Sequence, residues 1–200
     1  RTYKFLFFST PVGHYYSEPV NVKIEKSYTR AASGGVGRAK AAGNYAASMY
    51  PALQAQKEGY HQLVWTDAAE HKYIEESGTM NIVFQIGDKL ITPDENHDTI
   101  LRGITKRSVF EIAEKWGVTV EERMITVAEI IEAAENGSLK DAFGAGTAAT
   151  IAPIAMIGYE GNKYMLPPVE ERLLSNRIKK YLGDLKTGRI ADEFGWNLLV

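Results

Sequence analysis

Lys40 has the most evident chemical potential of any side chain in this sequence. It sits in Ser33–Ser48, SGGVGRAKAAGNYAAS, with Tyr45 five positions on. An amine with a pKa of about 10.4 in water becomes a nucleophile or base only when it is desolvated or set near positive charge. Glycines at 34, 35, 37 and 43 permit positive φ or close approach of the backbone, and alanines at 39, 41 and 42 leave room beside the amine for a planar cofactor. Taken bare, the stretch also reads as a plain Gly/Ala turn with a solvated lysine. It is no phosphate loop: no Gly-Lys-Ser/Thr follows the glycines, and Lys40 stands where the dinucleotide fingerprint needs its third glycine.

Two further glycine segments offer anion-binding backbone. Gly103-Ile104-Thr105 opens a helical pattern whose first N–H groups are free, and Gly144-Ala145-Gly146-Thr147-Ala148 reads as a tight turn. The sequence has no cysteine, which excludes disulfides, a thiolate nucleophile and Cys-ligated metal and is compatible with a reducing, cytoplasmic setting. His14, His61, His71 and His97 form no metal-spaced pair, so no metal is expected. A formal charge of -2 gives no general affinity for nucleic acid or anionic membrane, and no apolar run approaches the roughly 20 residues of a membrane span. Small molecules or protein are the expected partners.

The elements that must position these residues alternate in type. Tyr3 to Ser9 is apolar enough for a buried strand ended by Thr10-Pro11-Val12-Gly13, and Val20 to Glu25 alternates like a half-covered strand. Asn44 is suited to cap a helix that runs toward Glu58 and stops at Gly59, with Lys40 just ahead of it. Strands are expected at Gln62 to Thr66, within Tyr73 to Ile86, at Lys89 to Thr92 and at Val118 to Ile125. A helix from Gly103 stops at Gly117, and Thr126-Val127-Ala128-Glu129 is a capping box whose helix closes at Asn136-Gly137. Ile151 to Ile157 leads to a hairpin at Glu160-Gly161, and Val169 to Asp184 reads as a solvated outer helix. The pattern is α/β or mixed α+β, and 200 residues suit one domain.

Taken together, Gly35-Val36-Gly37-Arg38-Ala39-Lys40 with Gly43-Asn44-Tyr45, Glu76-Ser77-Gly78-Thr79-Met80-Asn81, Gly103-Ile104-Thr105 and Gly144-Ala145-Gly146-Thr147-Ala148 resemble the branched-chain amino acid aminotransferases. These are pyridoxal 5'-phosphate enzymes of fold type IV. The resemblance runs from about Phe5 onward and covers the family's large cofactor-binding domain, so the chain is expected to be that domain, residues 1–200, without the small N-terminal one. Lys40 matches the Schiff-base lysine, which holds the cofactor as an internal aldimine. Glu76 matches the carboxylate on the pyridine nitrogen, and Tyr45 the hydroxyl that contacts the cofactor. The Ile104 and Thr105 amides and Thr147 match the phosphate cradle, and Ala148 a backbone donor to the substrate carboxylate. Glu75 is the bland neighbour, because adjacent residues on a strand face opposite sides.

The resemblance implies ping-pong transamination of leucine, isoleucine or valine with 2-oxoglutarate to give branched-chain 2-oxo acids and glutamate, in a homodimer or higher homo-oligomer. Ala149 and Ala152 stand where mammalian members carry a Cys-x-x-Cys pair. The alternatives are another fold type IV enzyme (a D-amino acid aminotransferase, an aminodeoxychorismate lyase or an R-selective amine transaminase) or a non-catalytic domain of the same fold.

Overall fold

The computed structural model describes residues 2–11 and 16–198. Strand β1 (Val20–Ile24) alternates buried and half-buried residues, as its period-two pattern requires. It runs parallel to β2 (Gln62–Thr66). Parallel neighbours need a crossover, and helix α1 (Ala42–Lys57) supplies it. The chain between β1 and α1 therefore traverses one end of the sheet carrying Lys40.

β3 (Ile74–Ser77) and β4 (Met80–Ile86) form a tight hairpin in which Glu76 pairs with Asn81. The far half of β4 pairs instead with β5 (Lys89–Pro93). Helix α2 (Ile104–Lys115) then crosses over to β6 (Thr119–Arg123), parallel to β5. Helix α3 (Val127–Glu135) starts at the expected cap, with Thr126 Oγ1 accepting from the Glu129 amide at 3.1 Å. β7 (Leu139–Gly146), β8 (Thr150–Tyr159) and β9 (Asn162–Met165) follow, then a 3-10 turn (Val169–Glu171) and α4 (Leu173–Lys186). The pairing order β3-β2-β1-β8-β7-β4 closes on itself, because β4 also pairs with β3. These strands thus form a closed ring without edges, extended by β5 and β6 beside β4 and by β9 beside β8.

Closure puts both sides of the strands to use. Ile82 and Phe84 of β4 pack with β1, β8 and α3, while Val83 between them packs with α2 and α4. A continuous apolar run buried on both faces is the result. Trp65, Leu63 and Met156 pack against α1 through Ala55. Among the described residues no helix is long and apolar enough to cross a membrane.

Four expectations change. Tyr3 to Ser9 is no strand: it has no regular structure and its side chains are exposed, Phe8 at 92%. Apolar composition buries a segment only where a complementary surface exists, and the described residues offer it none; Val12, Gly13 and His14 lie outside them. Asn44 does not cap α1. The N-cap is Ala41, without a side-chain bond, and the buried Asn44 amide turns back to the preceding loop. Residues 143–146 belong to β7, and the turn is confined to 147–149.

Nor is the last helix simply a solvated layer. Ser175, Ile178, Leu182 and Leu185 are buried, and Arg172, just before α4, makes a 2.9 Å ion pair with Asp141 in which both side chains are 1% exposed. Arg172 also donates to the carbonyls of Ile154 and Pro167, both at 2.8 Å. Removing one partner of such a pair strands the other charge, whereas replacing both with apolar residues does not. Arg172→Ala is expected to cost about 3–5 kcal/mol in urea unfolding, and the Asp141→Leu/Arg172→Met double variant less than half of that. Equal losses in the two would show that the pair does not anchor α4.

Candidate functional site

The loop from β1 to α1 is built from its own polar groups. Beyond β1, Glu25 Oε1 accepts the amides of Lys26, Ser27 and Tyr28 at 3.0, 2.8 and 3.1 Å, closing a turn. Gly37 then lies flat against residue 99; a Cβ there would stand 2.6 Å from the Thr99 Cα, so glycine is required by contact. Asn44 Nδ2 reaches back to the carbonyls of Val36 and Ala39 at 2.9 and 2.8 Å, pinning the approach to Lys40 on the first turn of α1. Lys40 Nζ donates to Tyr45 Oη at 2.6 Å. Lys40 is exposed and Tyr45 half-buried.

Glu76 arrives from β3. Its carboxylate is buried, 3% exposed, with Arg30 Nε 3.3 Å from Oε2 and the Leu101 amide donating to Oε1 at 2.7 Å. Arg30 is held in turn by the carbonyls of Gly37 and Thr99. Burial pushes the Glu76 carboxyl up to about 7, against the opposing pull of Arg30 and the Leu101 N–H. Arg30, Lys40, Asn44, Tyr45, Glu76 and Leu101 line one narrow cleft of about 20 Å³. The structure thus brings three candidates, Lys40, Tyr45 and Glu76, to one place.

The remaining candidates, Ile104, Thr105, Thr147 and Ala148, do not line this cleft. Asn81 Nδ2 donates to the Leu101 carbonyl at 2.8 Å, and a Cβ on Gly103 would collide with Asn81 Oδ1. Only glycine lets the N-terminus of α2 come so near β4. Ile104 and Thr105 form the first turn of that helix, which has no side-chain cap, so their amides are free for an anion. Lys106, fully buried, ties α2 to Glu95 and Glu122 at 3.0 and 2.9 Å. Thr147 and Ala148 are exposed on the β7–β8 turn, just beyond Ala145, which pairs with Asn81. Among the described residues, no group of three or more His, Asp or Glu side chains could hold a metal ion.

Sequence reasoning missed Arg30, Asn81 and the Leu101 amide. Asn81 had a signal, a polar residue heading an apolar strand; Arg30, in an irregular loop, had none. A glutamate that titrates near 4.5 when unfolded and near 7 when folded binds more protons in the native state between those values. Its contribution to stability is therefore full below about 4.5 and lost as pH rises through about 7, at a cost on the order of 3 kcal/mol. In cofactor-free protein, the parent should lose stability over that window more steeply than Glu76→Gln, as followed by urea unfolding at each pH. Parallel profiles would contradict a burial cost that Arg30 and the Leu101 amide offset only in part.

Residues 2–157 match the family model described as amino-transferase class IV. A Bacillus subtilis (strain 168) protein, branched-chain-amino-acid aminotransferase 2, is 41% identical over 198 residues, covering 98% of this chain and 54% of the relative. The branched-chain aminotransferase of the thermophilic archaeon Thermoproteus uzoniensis, solved with norvaline, superimposes with a TM-score of 0.78 at 28% identity, over 94% of this chain and 58% of that one. The Thermobaculum terrenum branched-chain amino acid aminotransferase in its PLP form gives a TM-score of 0.70 at 26% identity, over 86% of this chain and 52% of that one. The chain spans about half the length of the curated relatives it matches. Its mixed α/β architecture is the one these fold type IV enzymes share, as the sequence motifs implied. With the family model matched over most of its length and a relative at 41% identity across nearly all of it, the chain belongs to the amino-transferase class IV family.

Proposed function

We propose that residues 1–200 form the large cofactor-binding domain of a pyridoxal 5'-phosphate-dependent branched-chain amino acid aminotransferase. The reaction moves the amino group of leucine, isoleucine or valine to 2-oxoglutarate, giving branched-chain 2-oxo acids and glutamate. The observation that carries this reading is the meeting of the Lys40–Tyr45 pair with the buried Glu76 carboxylate. The similarity to branched-chain aminotransferases supports the substrate class.

The residues fit pyridoxal phosphate. A carboxyl pushed toward neutral pH by burial regains its charge beside a protonated ring nitrogen, and an amine steered by a phenol suits an aldehyde. When bound, the cofactor supplies an electron-withdrawing ring that accepts the pair released on breaking the substrate Cα–H bond. Lys40 Nζ would hold the cofactor and, once displaced, would take the proton from the substrate Cα and deliver it to the cofactor's aldehyde carbon. The Tyr45 hydroxyl orients Nζ, and Glu76, held by Arg30 and Leu101, keeps the ring nitrogen protonated. The amides of Ile104 and Thr105 hold the phosphate together with Thr147, and the Ala148 N–H steers the substrate carboxylate.

Lys40 is exposed among the described residues, whereas a working Schiff-base amine must be desolvated. We assign that role to a small N-terminal domain and a second subunit of a homodimer in the cytoplasm, consistent with a chain about half as long as its relatives. The whole protein with pyridoxal phosphate should show a visible absorbance band that borohydride traps, and Lys40→Ala should show neither. Its transaminase rate with leucine and 2-oxoglutarate should fall at least about 100-fold, while the parent gives the parallel double-reciprocal lines of ping-pong kinetics. Identical spectra for parent and variant would remove Lys40 from the chemistry.

A further inference from the structure

A second cavity lies on the other side of β3. It measures about 380 Å³, far larger than the cleft at Lys40, and lies between the β2–β3 connection, the segment after β5 and Met124. Its walls are apolar at Pro93, Ile100 and Met124. The Glu75 carboxyl faces this side because alternation along β3 turns it away from Glu76. Glu75 is 6% exposed, and its Oε2 is buried without a hydrogen-bond partner. The Thr99 hydroxyl lies near enough to favour the charged carboxylate, yet not in bonding geometry: its Oγ1 is likewise buried and unpartnered. Glu75 Oε2 is thus a buried acceptor that the Thr99 hydroxyl does not reach in this geometry, with room beside it for another donor.

The electrostatics select a cation. Asp67, Asp94 and Asp98 stand at the cavity wall, their carboxylates held by backbone amides, and no lysine or arginine lines it; His97 is its one basic side chain. Burial drives Glu75 toward its neutral form, while Thr99, Arg30 and His97 act against this and Asp67 adds to it. A cation within reach would settle the charge. Among the described residues no group of three or more His, Asp or Glu side chains could hold a metal ion, whereas a buried carboxylate beside apolar wall residues suits an ammonium group with a hydrocarbon body.

We propose that this cavity binds a small organic amine in its ammonium form, the nitrogen donating to Glu75 and Thr99 and the hydrocarbon part lying against Pro93, Ile100 and Met124. The site shares no side chain with the Lys40 cleft and stands apart from the chemistry assigned to it.

The test uses the whole protein and N,N-dimethylbenzylamine, a tertiary amine that cannot condense with an aldehyde, with neutral benzyl alcohol as control. Calorimetry should show saturable binding of the amine and none of the alcohol. Glu75→Gln should weaken binding at least about tenfold. Ala68→Trp, which fills the cavity and leaves the carboxylate in place, should do the same, and Lys40→Ala should bind as the parent does. Absence of saturable binding in the parent, or equal affinity in Glu75→Gln and Ala68→Trp variants that keep the parent's circular dichroism, overturns the proposal. So does loss of binding in Lys40→Ala, which would place the amine in the other cleft.

Discussion

The buried carboxylate of Glu76 is the constraint around which the site end of this molecule is assembled. A charge there is tolerable only where polar groups converge on it, and they come from two distant loops: Arg30 from the connection after β1, and the Leu101 amide from the segment before α2. Satisfying one carboxylate therefore draws both loops over β3. Arg30 joins them further by bonding the Thr99 carbonyl, and Gly37 lets the backbones touch. Lys40 and the free amides of α2 follow at the ends of those loops.

The closed ring makes such convergence durable. Each strand of the ring is paired on both sides, and the apolar run of β4 is covered on both faces by different helices. Arg172 and Asp141 pin the start of α4 with a fully buried pair, and Lys106 does the same for α2 with two carboxylates. Polar groups thus set where helices begin, and apolar burial supplies the cohesion.

β3 shows how one strand serves two environments. Adjacent glutamates, alike in sequence, end on opposite sides: Glu76 meets Arg30 in the cleft with Lys40, and Glu75 meets an apolar cavity with no partner for Oε2. Reading Glu75 as merely the bland neighbour followed from the alternation. That alternation is also what presents its carboxyl to the cavity.

Much of the fold was legible locally. The period-two run at Val20–Ile24, the capping box at Thr126 and the glycine stops at Gly59, Gly117 and Gly137 all depend on near neighbours, and each element stands where its pattern put it. The motifs around Lys40, Tyr45 and Glu76 likewise named a candidate site before any coordinates. What sequence alone determined was therefore most of the element types, the family and a set of candidate residues. Tertiary structure alone decided that Tyr3 to Ser9 stays exposed, that Asn44 clamps a loop instead of capping a helix, that Arg30 is the partner of Glu76, and that Glu75 opens onto a cavity of its own. Burial and ion pairing are properties of surfaces brought together across the closed sheet, and no local pattern records which distant residue will be there to meet them.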